Sequence, residues 1–157
     1  MLKLDQLTDG ILNRFRIQIP AGTTLFRQND KGTTLYVLLE GSVKLTHRIA
    51  QTDRTLLSLG PGDIVGEKAL CVTGPYRRAF TATAESNAVV LELDAQRLKM
   101  IAAKIPDFSA KLLTAVVERL DRVTALIAVL QTPVPLERLS QYLVYLCNHS
   151  PKRSGSE

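Results

Sequence analysis

The chain changes its hydrophobic periodicity once, near Leu93, and this change constrains its fold more than any other feature. Before Leu93 the sequence consists of short apolar runs of β type, separated by turn residues. The runs are RIQI (16–19), TTLF (23–26), LYVLLE (35–40), SVKLTHRI (42–49), TLLSL (55–59), AFTATAE (79–85) and AVVLEL (88–93). Short strands with Gly and Pro between them are typical of a sandwich or a barrel-like roll.

After Leu93 the apolar residues recur with helical spacing. The predicted helices run from the N-cap Asp94 to about Lys104, from Asp107 to about Gln131, and over about 136–147, with Pro106 and the segment TPVP (132–135) between them. Leucine spacing in residues 1–12 predicts a short helix before the strands, and the polar end of the chain predicts a disordered tail.

The predicted fold class is therefore mainly β with flanking helices: a sandwich or barrel-like roll followed by a long C-terminal helix. Three parts follow from this division. Residues 1–105 form the β-roll with short flanking helices, residues 106–132 the long helix, and residues 133–157 a short helix and a polar tail.

Composition narrows the class of protein. The 157 residues are 45% hydrophobic and 22% charged, and no apolar run reaches the roughly 18 residues that a membrane span needs. The N-terminus does not resemble a signal peptide, so we expect a cytoplasmic protein. The net charge of +5 is scattered, which does not indicate a nucleic-acid surface. With two histidines and no P-loop, zinc motif or nucleophile elbow, the sequence predicts no enzyme, metal site or cofactor.

The long helix carries apolar residues at alternating spacings of three and four. They are Leu113, Val116, Leu120, Val123, Ile127 and Leu130. Such a heptad pattern predicts a parallel coiled coil between two copies of the chain, which would make a symmetric homodimer. The alternative is a helix that lies on its own β-roll. Additional apolar residues beside the stripe, such as Leu112, allow both at once.

The segment GPGDIVGEKALCVTGPYRRAFTATAES (60–86) is the most informative for function. Gly66 begins a tight turn whose free backbone amides favour an anion. Arg77 and Arg78 follow, and a guanidinium group suits a phosphate because it donates two parallel hydrogen bonds. Glu67 would repel a phosphate but can accept hydrogen bonds from a hydroxyl of the same ligand. A sugar phosphate meets both requirements.

The order of Gly32, LYVLLEGSVKL, GPGD, GEKAL and RRAFTATA resembles the cyclic-nucleotide-binding domain family. Within that family the chain is most similar to the catabolite-activator/fumarate-nitrate (Crp/Fnr) transcription regulators, over roughly residues 14–148. The resemblance implies a double-stranded β-helix, or jelly-roll-like β-roll, followed by a long C-terminal dimerisation helix. It also implies that the turn of Gly66, Glu67, Lys68, Ala69 and Leu70 binds the ligand. Glu67 would hold the ribose hydroxyl, and the amides of the turn would hold the phosphate.

The resemblance leaves the phosphate arginine open between two neighbours. Arg77 satisfies the family pattern Arg-x-Ala directly, but Arg78, followed by Ala79, fits the register of the next strand better and is favoured. In that register Phe80 stands where the family has a small residue, which would affect the pocket. The alternative is that Phe80 is a core aromatic on an inward face. Thr124 falls where the family places a polar contact to the base. Cyclic AMP is favoured over cyclic GMP because Ala79 offers no hydroxyl.

These observations predict a cyclic-nucleotide sensing domain of a Crp/Fnr-type regulator, with ligand binding coupled to the long helix. The alternative is a degenerate module that only dimerises or that binds another small acidic metabolite. The family's regulators continue into a helix-turn-helix unit, whereas this chain ends after the helix at 136–147. We therefore expect no specific DNA binding by this chain alone, although a longer parent chain could bind DNA, and no membrane partner.

Overall fold

The computed structural model describes residues 13–70, 76–105 and 107–149. The strands in these ranges are β1 (Arg16–Ile19), β2 (Thr24–Phe26), β3 (Lys31–Gly32), β4 (Leu35–Glu40), β5 (Val43–Ile49), β6 (Thr52–Leu59), β7 (Ile64–Val65), β8 (Tyr76–Arg77), β9 (Thr81–Ala84) and β10 (Ala88–Leu93). A 3-10 helix covers Glu67–Leu70. The helices after the strands are α1 (Ala95–Lys104), α2 (Asp107–Gln131) and α3 (Pro135–His149).

The strands form two four-stranded antiparallel sheets and one small ribbon. The first sheet has the order β1-β10-β4-β7 and the second the order β2-β9-β5-β6, while β3 pairs with β8. Consecutive strands alternate between the sheets at several points. Between β4 and β5 the chain crosses from one sheet to the other through Gly41, whose φ of +79° is readily adopted by glycine. This architecture confirms the predicted β-roll.

One hydrophobic core lies where the two sheets face each other. The first sheet contributes Leu38, Val65, Ala88 and Val90, and the second contributes Val43, Leu45, Leu59 and Ala82. Burial alternates along β9, where Ala82 and Ala84 point inward, as expected for a strand with one buried face. Phe80 packs against this cluster and meets the His47 ring edge-on. This placement favours the interpretation of Phe80 as a core aromatic.

Several strand limits differ from the prediction. β6 begins at Thr52 rather than at residue 55. The prediction missed the first three residues of this strand because Thr52, Asp53 and Arg54 are all exposed and show no alternation. The strands β3, β7 and β8 were not predicted, since two residues carry no periodicity. They exist because partner strands lie beside them.

The helices follow the predicted boundaries closely. The carboxylate of Asp94 accepts a hydrogen bond from the Arg97 backbone amide at 2.8 Å and caps α1 as predicted. At the start of α2, Phe108, Leu112 and Ala115 are buried at helical spacing. The last helix extends one residue before and two residues beyond the predicted range of about 136–147.

The chain divides into two compact units between Ala115 and Val116, within α2. The predicted boundaries at 105/106 and 132/133 stay predictions. The helix predicted within residues 1–12, the interruption at Pro106 and the polar tail lie outside the described residues. Among the helices of the described ranges, none has the length and apolarity to cross a bilayer.

Candidate phosphate-binding site

The backbone of Arg78, in the first unit, forms two hydrogen bonds with the segment that precedes β3. Its amide donates to the carbonyl of Asp30 at 2.9 Å, and its own carbonyl accepts from the amide of Asn29 at 2.8 Å. The turn at 27–30 that supplies these groups is closed by the Asp30 carboxylate, which accepts from the Arg27 amide. The residue after β8 is thereby fixed beside the segment that leads into β4.

The Arg78 side chain is buried, with 4% of its surface exposed, and it donates hydrogen bonds to two neutral oxygens. Its Nη2 donates to the Thr34 carbonyl at 2.7 Å and its Nη1 donates to the Tyr76 hydroxyl at 2.5 Å. Its Cζ lies 4.1 Å from the centroid of the Phe26 ring. Its Nε is buried and has no hydrogen-bond partner within the described structure.

Two glycines make room for this guanidinium group. A Cβ atom built on Gly32 would overlap Arg78 Nε, and one built on Gly66 would overlap Arg78 Nη1. Gly66 also has a φ of +85°, which disfavours other residues. The resemblance drew attention to both positions, and the structure shows a steric reason for glycine at each.

The turn after Gly66 lies beside Arg78. The Ala69 amide donates to the Gly66 carbonyl at 3.0 Å and so closes the turn. Glu67 is half-buried, Lys68 is exposed and Ala69 is buried. Leu70 is the last residue of the 3-10 helix. The structure therefore brings together Gly66, which begins the turn, and Arg78, while the ligand-binding roles of the turn residues stay predictions.

Tyr76 reaches into the same place from β8, although no role was assigned to it from the sequence. Its hydroxyl donates to the Gly66 carbonyl at 2.9 Å while it accepts from Arg78. Burial raises the pKa of Tyr76, the positive charge of Arg78 lowers this pKa, and the negative charge of Glu67 raises it. The carboxylate of Glu67 and the guanidinium of Arg78 thus both act on the phenolic oxygen.

The two neighbouring arginines have different surroundings. Arg77 is exposed, and its Nη1 donates to the Asn29 carbonyl at 2.9 Å. Because successive side chains of an extended segment point in opposite directions, only one of the pair can face the turn. That residue is Arg78. Ala79 is exposed.

The predicted helix residues are mostly accessible. Leu113, Leu120, Ile127 and Leu130 are exposed by 50–64%, while Val116 and Val123 are partly buried. Thr124 is exposed, and its hydroxyl donates to the Leu120 carbonyl of its own helix at 2.8 Å. Leu112 packs into the first unit. The roles of these residues in a dimer and in base contact stay predictions.

The fold and the site together define a cyclic nucleotide-binding domain, and the chain belongs to that family: residues 16–104 match the model of the cyclic nucleotide-binding domain. Within the family the chain is similar to regulators of the Crp type. It is 30% identical over 141 residues to the CRP-like cAMP-activated global transcriptional regulator of Mycobacterium tuberculosis, covering 88% of this chain and 62% of that protein.

Two proteins of Thermus thermophilus are also similar. The cyclic AMP receptor protein is 33% identical over 103 residues, covering 64% of this chain and 46% of that protein. The crystal structure of a CRP-family transcriptional regulator superposes with a TM-score of 0.65 at 28% identity, covering 84% of this chain and 64% of that one. The chain therefore spans about half to two thirds of these relatives. They are regulators, which confirms the expectation that the chain is not an enzyme.

Sequence reasoning missed three contributors to the site, namely Phe26, Thr34 and Tyr76. Thr34 acts through its carbonyl, so its side chain gave no signal. Phe26 belongs to a three-residue strand and reads as a core residue. Tyr76 stands two residues before Arg78, and this spacing on one extended segment could have placed both side chains on one face.

Proposed function

We propose that this chain senses a cyclic nucleotide, with cyclic AMP favoured. In the proposal the phosphate binds Arg78 and the amides of the Gly66–Leu70 turn, and the ribose hydroxyl binds Glu67. The base contacts the long helix near Thr124. The observation that carries the proposal is the buried Arg78 guanidinium, whose hydrogen bonds go to neutral oxygens.

The physical argument starts from the cost of a buried charge. A guanidinium group that leaves water loses hydration, and the loss is compensated best by an opposite charge with matching hydrogen bonds. A neutral phenol and a carbonyl compensate it only in part, and the buried Nε has no partner in the described structure. An anion at this position would supply the missing charge. A phosphate suits the planar fork of arginine geometrically.

The choice of cyclic AMP rests on two supports. The relatives from M. tuberculosis and T. thermophilus are named for cyclic AMP. Ala79, next to the proposed phosphate arginine, offers no hydroxyl to a guanine base. Because this chain spans only part of each relative, regulation of transcription by the whole protein belongs to the proposal as well.

The proposal includes a homodimer through α2, to which ligand binding is coupled. The apolar positions predicted for the contact include four that are at least half exposed. Exposed leucine and isoleucine at heptad spacing on one helix are stabilised when a second helix covers them. A dimer helix that also touches the base gives the ligand a direct way to favour one conformation over another.

Calorimetric titration with cyclic AMP tests the site. Arg78→Leu should abolish binding, and Arg78→Lys should weaken it at least about tenfold, because lysine keeps the charge but lacks the two-pronged donor. Arg77→Leu is the matched control, since the neighbouring side chain is exposed, and it should bind like the wild type. Circular dichroism would show that each variant is folded. Unchanged affinity in folded Arg78→Lys and Arg78→Leu would refute the site.

A second candidate ligand is another small acidic metabolite. Its support is that the Arg78 fork and the turn amides recognise an anion rather than a base, so a carboxylate could occupy the same position. A thermal-shift screen with cyclic AMP, cyclic GMP and 2-oxoglutarate separates the two candidates. Stabilisation by 2-oxoglutarate alone would favour the second candidate.

A further inference from the structure

The Tyr76 hydroxyl is hydrogen-bonded to the guanidinium group that we assign to the phosphate. The phenolic oxygen accepts a hydrogen bond from Arg78 Nη1 at 2.5 Å. The same hydroxyl donates to the Gly66 carbonyl at 2.9 Å, and this carbonyl also accepts from the Ala69 amide of the turn that would hold the phosphate. The arginine that we assign to the phosphate therefore already donates to an oxygen of the protein, and this oxygen is hydrogen-bonded to the turn.

We propose that the Tyr76 hydroxyl occupies the phosphate position of the ligand-free site and competes with the ligand for Arg78, so that Tyr76 sets the ligand affinity. This inference rests on the proposed function. Its starting point is geometric: of the five N–H donors of the guanidinium group, one on Nη1 is held by the Tyr76 hydroxyl and one on Nη2 by the Thr34 carbonyl. A phosphate oxygen that bound Nη1 in the place of the phenol would gain the donor that the phenol now holds.

Displacement of Tyr76 leaves few groups without partners. The Gly66 carbonyl, which accepts from the Tyr76 hydroxyl, would keep the hydrogen bond from the Ala69 amide at 3.0 Å. The phenol is half-buried and lies on β8, a strand of two residues that pairs only with the two residues of β3 in the described structure. The hydroxyl can therefore turn into water, where its hydrogen bonds are replaced.

The chemistry of the two oxygens decides which one Arg78 prefers. A phosphate oxygen carries negative charge and makes a charge-assisted hydrogen bond, which is roughly twice as strong as one between neutral groups. The phenol is neutral at physiological pH. The ligand should therefore displace the hydroxyl. Its binding free energy is reduced, however, by the free energy of the hydrogen bond between Arg78 and Tyr76 that it must break.

The test compares Tyr76→Phe with the wild type by calorimetry, with cyclic AMP and cyclic GMP as probes up to millimolar concentration. The variant keeps the aromatic ring near Arg78, at 5.2 Å from its Cζ to the ring centroid, and removes only the hydroxyl. One hydrogen bond has a net value that corresponds to about a twofold to tenfold change in affinity. We expect binding to tighten by that factor, equally for both nucleotides, because they share the phosphate.

Tyr36→Phe is the matched control. It removes one hydroxyl in the same unit, but that hydroxyl donates to Glu92 at 3.3 Å rather than joining the turn. Its affinity should equal that of the wild type. As a second measurement, the chain labelled with 3-fluorotyrosine contains four reporters, and the signal that is lost in Tyr76→Phe should shift when cyclic AMP binds.

The outcomes separate this inference from the proposed function. If the wild type binds and Tyr76→Phe binds equally or more weakly, the competing role is wrong and the hydroxyl is neutral or contacts the ligand itself. A fluorine signal that does not move on saturation leads to the same conclusion. If neither protein binds either nucleotide, the proposed function fails, and the inference fails with it.

Discussion

The guanidinium of Arg78 lies over the face of the Phe26 ring, with 4.1 Å between its Cζ and the ring centroid. This stacking joins β2 to the residue that follows β8, and it orients the fork of the arginine. A cation over an aromatic face is stabilised by the ring quadrupole, by about 0.5–2 kcal/mol depending on desolvation. The ring also shields the guanidinium group from water. Phe26 therefore positions Arg78, which we propose binds the phosphate, without contacting the phosphate itself.

Phe26→Leu should therefore weaken cyclic AMP binding by about twofold to thirtyfold, the range that corresponds to the loss of a cation–π contact. Calorimetry measures the change. Phe80→Leu is the control, because Phe80 packs against the same core cluster but contacts His47 instead of Arg78. Equal losses of affinity in the two variants would mean that core packing, rather than the ring face, matters.

Gly32→Ala should displace the arginine directly. The new Cβ would overlap Arg78 Nε and lie 2.7 Å from its Cζ, closer than real Cβ atoms approach. Because the guanidinium must move, we expect at least about a tenfold loss of affinity, equivalent to about 1.4 kcal/mol. Titration of the folded variant with cyclic AMP checks this. Wild-type affinity would show that the fork does not need its present position.

Gly41→Ala should reduce stability but leave binding unchanged. The residue has a φ of +79°, and its Cβ would overlap the Asn87 carbonyl oxygen, part of a backbone that has little freedom to yield. Strain of this kind costs roughly 1–3 kcal/mol, to which the clash adds. Urea unfolding gives the free energy. Gly22→Ala, with a φ of +82° but no atom within 4 Å of its Cβ, should cost less, and equal costs would contradict the steric part.

Stability should fall at alkaline pH through Tyr36. Burial, followed by the negative charge of Glu92, raises the pKa of the Tyr36 hydroxyl. A raised pKa means that the folded state keeps its proton longer, so this stability is complete below the unfolded pKa of about 10 and is lost as the pH rises through the folded pKa. In urea unfolding from pH 8 to 11, Tyr36→Phe should lose stability less steeply than the wild type. Parallel curves would exclude Tyr36 as a cause.

Leu120→Arg should convert the proposed dimer to a monomer. Leu120 is 63% exposed and lies in the middle of the predicted contact stripe, where two facing arginines would meet. Sedimentation equilibrium measures the mass. Asp121→Arg introduces the same side chain at the next position, which is exposed and outside the stripe, and should remain a dimer. A wild-type monomer at all concentrations would contradict the dimer proposal.

Much of this fold could be predicted because its signals are local. The runs at 16–19, 35–40 and 88–93 match β1, β4 and β10 residue for residue, since alternation and turn residues act over a few positions. The cap at Asp94 and the limits of α2 likewise depend on neighbouring residues. The short strands β3, β7 and β8 could not be predicted, because two residues form a strand only where a partner lies alongside.

The sequence by itself determined that the chain forms a β-roll followed by a long helix, and that a glycine turn, an acid and an arginine pair lie close together along the chain. Only the tertiary structure decided that Arg78 is buried and Arg77 exposed, and that the Tyr76 hydroxyl lies on the Gly66 carbonyl. The physical reason is that periodicity and capping are properties of neighbouring residues. The surroundings of a buried side chain depend on groups such as the Thr34 carbonyl, 44 residues away along the chain.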